Sequence, residues 1–176
     1  MVSEPDGSRQ PASAAVAGGT TLDTPFGRIG VAWHGRCLTR VTLDPAQAPE
    51  AAPAAVPNWL RAELDAYFAD PAHRFGCEMT ARGTAFQHRV WALISAIPAG
   101  HTRTYGALAR DLGSAPRAVG AACRANPLPL AVPCHRVVGA RGPGGFAGDS
   151  SGRLLAVKRW LLDHEGVLPD ACRGRD

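Results

Sequence analysis

Residues 126–139, NPLPLAVPCHRVVG, hold the side chains best suited to chemistry. Three prolines restrict the backbone φ angle on the approach to the thiol and supply no N–H donors: Pro127, Pro129 and Pro133. Cys134 is followed by His135 and Arg136, and basic neighbours of this kind lower the pKa of a thiol. The segment therefore predicts a cysteine nucleophile held by a rigid backbone, although the alternative is a small buried hydrophobic residue.

A cysteine nucleophile needs a base, and that base needs a partner to orient it. Adjacent side chains of an extended chain point to opposite faces, so His135 reaches the sulfur of Cys134 only across a turn or through a water molecule. Glu165, near the end of the last predicted helix, is the candidate partner of the imidazole. The alternative for Glu165 is a solvated carboxylate at a helix end.

The cysteines as a set indicate neither disulfides nor a metal site. Their number is odd and their spacing irregular: Cys37, Cys77, Cys123, Cys134 and Cys172. Such a set is typical of a reducing compartment. The pairs His34-Cys37 and Cys134-His135 lack further ligands at zinc-binding spacing. The run GPGGFAG neither follows a predicted strand nor opens a helix, as a dinucleotide-binding loop does. We therefore expect no metal and no cofactor.

The net charge of +4 is unevenly distributed along the chain. Residues 1–84 carry seven arginines against nine acidic residues, whereas residues 85–176 carry eleven arginines and Lys158 against six. A basic half is typical of nucleic-acid binding, and also of a plain soluble surface. No stretch reaches the roughly 18 uninterrupted apolar residues of a membrane span, and the N-terminus lacks a secretory signal. We expect a cytoplasmic protein with no membrane partner.

The first half of the chain has the pattern of a small α+β unit. Residues 1–19 are rich in Ala, Ser, Gly and Pro, which predicts a disordered leader. From Thr20, alternating apolar and polar residues interrupted at Gly27 and Gly35 predict two or three antiparallel strands. Residues 58–70 then predict an amphipathic helix that ends before Pro71.

The second half has the pattern of a helical domain. A long helix after Gly83 is followed by two short helices joined at Gly113, which is typical of a helix-turn-helix, and a last helix ends at Gly166. The predicted N-caps of these four helices, in chain order, are Thr84, Thr104, Ser114, and Ser150 or Ser151. The second short helix is mostly alanine and glycine. These small residues permit close approach of either a neighbouring helix or a shallow DNA groove.

Five ordered motifs within residues 85–166 resemble the C-terminal domain of the O6-alkylguanine-DNA alkyltransferases, also called methylated-DNA-protein-cysteine methyltransferases: FQHRVW, IPAGHTRTYGALA, RAVGAACRANP, PCHRVVG and KRWLLDHEG. TPFGRIGVAW resembles their first domain more loosely. The resemblance implies an α+β fold. A ribonuclease-H-like domain over residues 20–82 precedes a mainly helical, winged-helix or helix-turn-helix-like domain over 83–168, and residues 169–176 form a tail.

The resemblance also implies the activity and the partner. Such a protein moves the alkyl group of O6-alkylguanine, and of O4-alkylthymine, from double-stranded DNA to its own cysteine. It binds the minor groove as a monomer, flips the nucleotide out of the duplex, needs no cofactor and acts once per molecule. The rivals are a non-catalytic sensor of alkylated DNA, in which tryptophan typically replaces the acceptor cysteine, and a cysteine hydrolase.

Residue roles follow from the matching motif positions. The implied catalytic residues are Cys134 as the alkyl acceptor, His135 as a base acting through a water molecule, Glu165 as its orienting carboxylate, and Asn126 as the residue that holds the turn behind the thiol. The implied DNA-binding and base-flipping residues are Tyr105, Arg117, Ala118, Gly120, Ala121 and Arg124. Arg117 fills the gap left by the flipped nucleotide, and Tyr105 bonds and protonates the base.

The implied alkyl pocket is formed by Cys123, Pro133, Val137 and Phe146, and the carbonyl of Val137 reads the exocyclic amine of the base. After Phe146 the chain has a longer loop than is usual in the family. We expect this loop to be mobile, and Arg153 at its end to pair with a DNA phosphate.

Overall fold

The structure, a computed structural model, describes residues 17–44, 46, 55–140, 142–147 and 152–167. The first part is an antiparallel meander of β1 (Ala17–Thr24), β2 (Gly27–His34) and β3 (Cys37–Thr42). The turn between β2 and β3 contains Gly35 at φ +60°, a left-handed conformation that glycine adopts without strain. The predicted antiparallel strands are therefore present.

The start of β1 corrects the predicted boundary of the leader. Ala17 pairs with His34 and Gly19 with Ala32, so residues 17–19 belong to the sheet. Gly18 lies against the indole of Trp33, and a Cβ there would come within 2.4 Å of the ring. Gly18 therefore makes room for a large buried neighbour across the strand pair, which composition alone does not reveal. Residues 1–16 lie outside the described residues.

A helix and a short strand complete the first part. Helix α1 (Asn58–Ala69) buries Leu60, Leu64 and Tyr67, the apolar face that its spacing predicts. Strand β4 (Glu78–Met79) then pairs with β3 in parallel, which gives the sheet order β1-β2-β3-β4.

The second part is mainly helical, as predicted. Its helices are α2 (Ala85–Ser95), α3 (Tyr105–Asp111), α4 (Pro116–Arg124) and α5 (Arg153–His164). Strands β5 (Arg103–Thr104) and β6 (Val137–Val138) form a short parallel pair. The indole N–H of Trp91 in α2 donates to the carbonyl of Ala122 in α4 at 2.9 Å, and this bond holds α4 in place. The architecture is α+β.

Two of the predicted helix caps are correct. Thr84 accepts from the backbone N–H of Gln87 in a capping box, and Thr104 accepts from that of Ala107.

The other two predicted caps are wrong. The N-cap of α4 is Ala115, because Pro116 supplies the first helical φ angle and disfavours helical backbone in the residue before it. The backbone N–H of Ser114 instead bonds to Ala109 at the end of α3. The N-cap of α5 is Gly152, and Ser150 and Ser151 lie outside the described residues.

The two parts share one apolar core, in which residues of the sheet and of α1 pack with residues of α2 to α5. Polar contacts also join them, since the N–H of Val41 donates to the carbonyl of Pro127 at 2.8 Å. Arg153 donates to the carbonyls of Leu43 at 2.6 Å and Arg28 at 3.0 Å. The guanidinium of Arg153, which we expected to pair with a DNA phosphate, therefore connects α5 to the sheet through hydrogen bonds. Among the described residues, no helix is long and apolar enough to cross a membrane.

Candidate active site

Cys134 opens a single 3-10 turn, Cys134–Arg136, and its side chain is buried with 3% exposed. The side-chain amide of Asn126 donates to the sulfur of Cys134 at 3.3 Å and to the carbonyl of Val132 at 2.8 Å. The side-chain oxygen of Asn126, Oδ1, accepts a hydrogen bond from the backbone N–H of Leu128 at 3.0 Å. Asn126 thus ties together both ends of the proline-rich loop and fixes the position of the thiol.

His135 and Glu165 form a buried pair behind the turn. The Nε2 of His135 lies 2.6 Å from Oε1 of Glu165, and both side chains are fully buried. A carboxylate only accepts hydrogen bonds, so Nε2 carries the proton of the neutral imidazole and Nδ1 is its basic nitrogen. Nδ1 is buried and has no partner among the described residues. Glu165 therefore sets the tautomer that a general base requires.

Arg136 completes this group in a way that the sequence did not indicate. Its guanidinium donates to both carboxylate oxygens of Glu165 at 2.9 to 3.1 Å, and to the carbonyl of Ile97 at 2.6 Å. We expected Arg136 to activate the thiol directly. It instead holds Glu165 ionised and in place, because a guanidinium fork matches a carboxylate in two-point contact.

The pKa shifts follow from burial and from these contacts. Burial opposes ionisation of Glu165, but the hydrogen bonds and charges of His135 and Arg136 lower its pKa to about 2. Burial lowers the pKa of His135 despite the opposing carboxylate, so the imidazole is neutral at pH 7.

Burial raises the pKa of Cys134, and the hydrogen bond from Asn126 and the charge of Lys158 counteract this only in part. The expectation that basic neighbours lower the pKa of the thiol is therefore wrong for the free protein. Desolvation of the thiolate outweighs them. The resting cysteine is a protonated thiol, and a neutral histidine base is what its activation needs.

Lys158 is a site residue that the sequence analysis counted only as a charge. It is fully buried, and its ammonium donates to the carbonyls of Val137 at 2.6 Å and Gly145 at 3.1 Å. It also lies 5.8 and 5.9 Å from the ring centroids of Tyr105 and Phe146. A signal was present, since Lys158 is four residues after Leu154 and three before Leu161 and so shares the apolar stripe of α5.

A cavity of about 560 Å³ lies between α4 and the thiol. Its walls are formed by Tyr105, Pro116, Arg117, Gly120, Ala121, Cys123, Arg124, Cys134, Gly145, Phe146 and Ala147. The structure thus brings most of the predicted DNA-binding residues to one opening with Cys134 at its base. Ala118, Pro133 and Val137 are not among the lining residues. The carbonyl of Val137, expected to read a base, is bonded to Lys158.

The tyrosine and the second cysteine of the cavity keep their protons at neutral pH. Burial raises the pKa of Tyr105, whose hydroxyl donates to the carbonyl of Gly145 at 3.0 Å. Burial also raises the pKa of Cys123 to about 12, with a smaller contribution from Cys134. No metal-binding group of three or more His, Cys, Asp or Glu side chains occurs within the described ranges.

A buried thiol beside a pair of short helices, with a neutral histidine behind it and a cavity lined by α4, is the arrangement typical of a cysteine nucleophile with its base. Residues 85–167 match the family model of the 6-O-methylguanine DNA methyltransferase DNA-binding domain. The methylated-DNA-protein-cysteine methyltransferase of Mycobacterium tuberculosis is 42% identical over 157 residues, which cover 82% of this chain and 90% of that protein. The chain belongs to the methylated-DNA-protein-cysteine methyltransferase family.

Solved structures of this family have the same fold as this chain. An O6-methylguanine methyltransferase variant from Mycobacterium tuberculosis matches with a TM-score of 0.72 and 36% identity, covering 91% of this chain and 97% of that one. A structure of Mycobacterium tuberculosis OGT in complex with DNA matches with a TM-score of 0.67 and 37% identity, covering 84% and 92%.

Proposed function

We propose that this protein repairs DNA by moving the alkyl group from O6 of guanine, or O4 of thymine, in a duplex to the sulfur of Cys134, once per molecule. The observation that carries the proposal is the position of Cys134 at the base of a cavity that opens beside α4, with the His135-Glu165 pair behind it. Family membership supports the same reaction.

The side chains of the site suit this reaction step by step. His135 accepts the proton of Cys134 at Nδ1, directly or through a bridging water molecule, and Glu165 stabilises the resulting imidazolium. The sulfur attacks the alkyl carbon in line with the carbon–oxygen bond, whose electrons leave with the base. Tyr105 is the donor that protonates the leaving base, and the proton taken up by His135 then returns through solvent to the Tyr105 oxygen. The net change is an exchange, in which the base gains a proton and Cys134 gains the alkyl group.

The product accounts for a single turnover. Alkylated Cys134 is a thioether, which unlike a thioester has no carbonyl for water to attack. The neighbouring thiol, Cys123, keeps its proton because burial raises its pKa to about 12, so it is a poor nucleophile. Each molecule is therefore consumed by one reaction.

The proposal is tested by the stoichiometry of transfer. Duplex DNA carrying O6-methylguanine with an isotopically labelled methyl group is mixed with a limiting amount of protein. We expect one methyl group per protein molecule, however long the incubation. Several repaired lesions per molecule would refute a self-inactivating acceptor. Retained binding without any transfer would instead support the lesion sensor.

DNA binding is assigned to the face of α4. Gly120 and Ala121 line the cavity, and small residues there let a minor groove approach the helix closely. Arg117, exposed at the rim, is the side chain that fills the stack after the nucleotide is flipped. Because the contacts are to the backbone and groove, binding as a monomer should depend strongly on salt and little on sequence.

The Arg117→Ala variant tests base flipping. We expect it to slow methyl transfer from duplex DNA by about tenfold or more, but to leave transfer from free O6-methylguanine base nearly unaffected, since only the duplex must be unstacked at a cost of a few kcal/mol. Single-turnover rates with both substrates measure the difference. The matched control is Arg110→Ala, which removes an exposed arginine of α3 outside the cavity lining. Equal losses on both substrates would show that Arg117 supports the fold instead.

The Lys158→Met variant tests how the thiol is activated. Methionine fills a similar volume but carries no charge and no donor, so it removes a charge that favours the thiolate. We expect slower transfer at neutral pH and a pH-rate profile shifted to higher pH, with partial recovery of the rate in alkali. The control is Arg159→Met on the exposed side of α5. A uniformly slower reaction with an unshifted profile would assign Lys158 a structural role alone.

Finer features of the fold and the location of the protein stay predictions. These are the ribonuclease-H-like character of residues 20–82, the winged-helix character of residues 83–168, and the cytoplasm. The four-stranded sheet with α1 and the α3-α4 pair are compatible with the two domain descriptions. The predicted tail, residues 169–176, lies outside the described residues.

A further inference from the structure

A second cavity, of about 240 Å³, lies next to the first, between the sheet and the C-terminal end of α4. Arg40 and Thr42 of β3 line one side of it, and Arg124 and Asn126 line the other. Arg124 and Ala147 belong to the walls of both cavities. The second cavity is therefore continuous with the surface that α4 offers to DNA.

Three polar side chains of this cavity, those of Arg40, Arg124 and Thr42, have no partner within the described residues. Arg40 and Arg124 are exposed, and neither forms an ion pair or side-chain hydrogen bond with the residues that the structure describes. Thr42 is only 9% exposed, and within the same residues its buried hydroxyl has no hydrogen-bond partner. Burial of an unsatisfied hydroxyl costs about 1–3 kcal/mol, which a ligand oxygen would offset.

One acid also lines the cavity. Asp44 accepts a hydrogen bond from the N–H of Ala46 at 3.1 Å through its Oδ1. Two arginines and this one aspartate line the cavity, so its charged side chains sum to a net positive charge. Guanidinium forks and a hydroxyl are the donor set that proteins use for phosphate.

We propose that this cavity binds a backbone phosphate of the DNA strand that borders the groove occupied by α4, with Arg40, Thr42 and Arg124 as its ligands. The inference rests on the proposed function, because it takes DNA as the partner. It extends the DNA-binding surface from α4 onto the sheet of the first part of the chain.

The length of α4 supports this placement. Arg117 and Arg124 are seven residues apart on one helix, hence roughly 10 Å apart along its axis at 1.5 Å per residue. The minor groove is only about 6 Å wide. With the axis of α4 crossing the groove and Arg117 inside it, Arg124 would lie over the bordering strand, and Arg40 lines the same second cavity as Arg124.

The test is the salt dependence of binding to unmodified duplex DNA, measured by fluorescence anisotropy with the full chain. Losing one phosphate contact makes the slope of log K against log salt shallower by about 0.9. We expect that change, with weaker binding at low salt, for Arg40→Ala. The matched control, Arg36→Ala, removes an exposed arginine from the turn between β2 and β3 and should bind like the wild type.

The Thr42→Val variant provides a second measurement. It replaces the unpartnered hydroxyl with a methyl group, so we expect a higher melting temperature without DNA, weaker DNA binding and an unchanged salt slope. Equal slopes for Arg40→Ala and Arg36→Ala, beside normal methyl transfer by the wild type, would overturn the phosphate site and leave the function intact. A wild type that neither transfers nor binds DNA would overturn both.

Inorganic phosphate at constant ionic strength separates the two possible sources of the anion. If free phosphate raises the melting temperature of the wild type but not of Arg40→Ala, while both bind DNA with equal slopes, the cavity is a small-anion site and the DNA proposal is wrong. If the variant has the shallower DNA slope, the strand phosphate is the ligand, whatever free phosphate does.

Discussion

A Cys134→Ala variant is expected to bind duplex DNA containing O6-methylguanine and to transfer no methyl group. Removal of the sulfur removes the atom that forms the new bond, so the rate should fall by several orders of magnitude. Alanine leaves the loop in place, because Asn126 still bonds to Val132 and Leu128. Intact-protein mass spectrometry after incubation measures transfer, and anisotropy with the same duplex measures binding.

The control is the second thiol of the same cavity. Cys123→Ala should still gain one methyl group, and peptide mapping should find it on Cys134. Within the part of the chain that the structure describes, no side chain donates to Cys123 as Asn126 does to Cys134, and burial raises the pKa of Cys123 to about 12. A methyl group found on Cys123 of the wild type, or transfer by Cys134→Ala, would contradict the assignment of the acceptor.

Glu165→Gln is expected to lower both the stability and the transfer rate. The amide keeps the shape of the carboxylate but not its charge, so the guanidinium of Arg136 is left buried without an anion. Breaking a buried pair in this way costs about 3–5 kcal/mol. The imidazolium of His135 also loses its counter-charge, and a general base contributes about 10²- to 10⁴-fold to the rate. Urea unfolding and single-turnover kinetics measure the two effects.

A second variant separates the structural role of Glu165 from its chemical role. In Glu165→Gln combined with Arg136→Met, both buried charges are removed, and such replacements are often neutral for stability. We expect most of the lost stability to return while transfer stays slow. Recovery of the transfer rate together with stability would show that Glu165 acts only through the fold.

Local features of the chain could be predicted from the sequence because they depend on near neighbours. Alternation predicted the strands of the meander, and apolar spacing predicted α1 and α2. Thr84 and Thr104 were predictable as caps because a cap bonds to residues within its own first turn. The motif around Cys134 indicated the family, since its residues are contiguous.

Other features depend on residues that are far apart in the sequence, and only the tertiary structure decided them. Arg136 reaches Glu165 across 29 residues and Arg153 reaches Leu43 across 110, so neither contact leaves a local pattern. Composition places Gly18 in a disordered leader, because the residue that it packs against, Trp33, lies on another strand and leaves no local signal.

The pKa of the Cys134 thiol is another property that the local sequence did not predict and that the tertiary structure decided. The order of residues determined that Cys134 has basic neighbours, and this predicted a lowered pKa. Folding buried the sulfur, directed Arg136 to Glu165 and left His135 neutral, so desolvation raised the pKa instead. The sequence determined which groups can react. The three-dimensional packing decided which of these groups are protonated and which form hydrogen bonds or ion pairs with each other, because the charge of a group in a protein depends on its solvent exposure and on its distance from other charges.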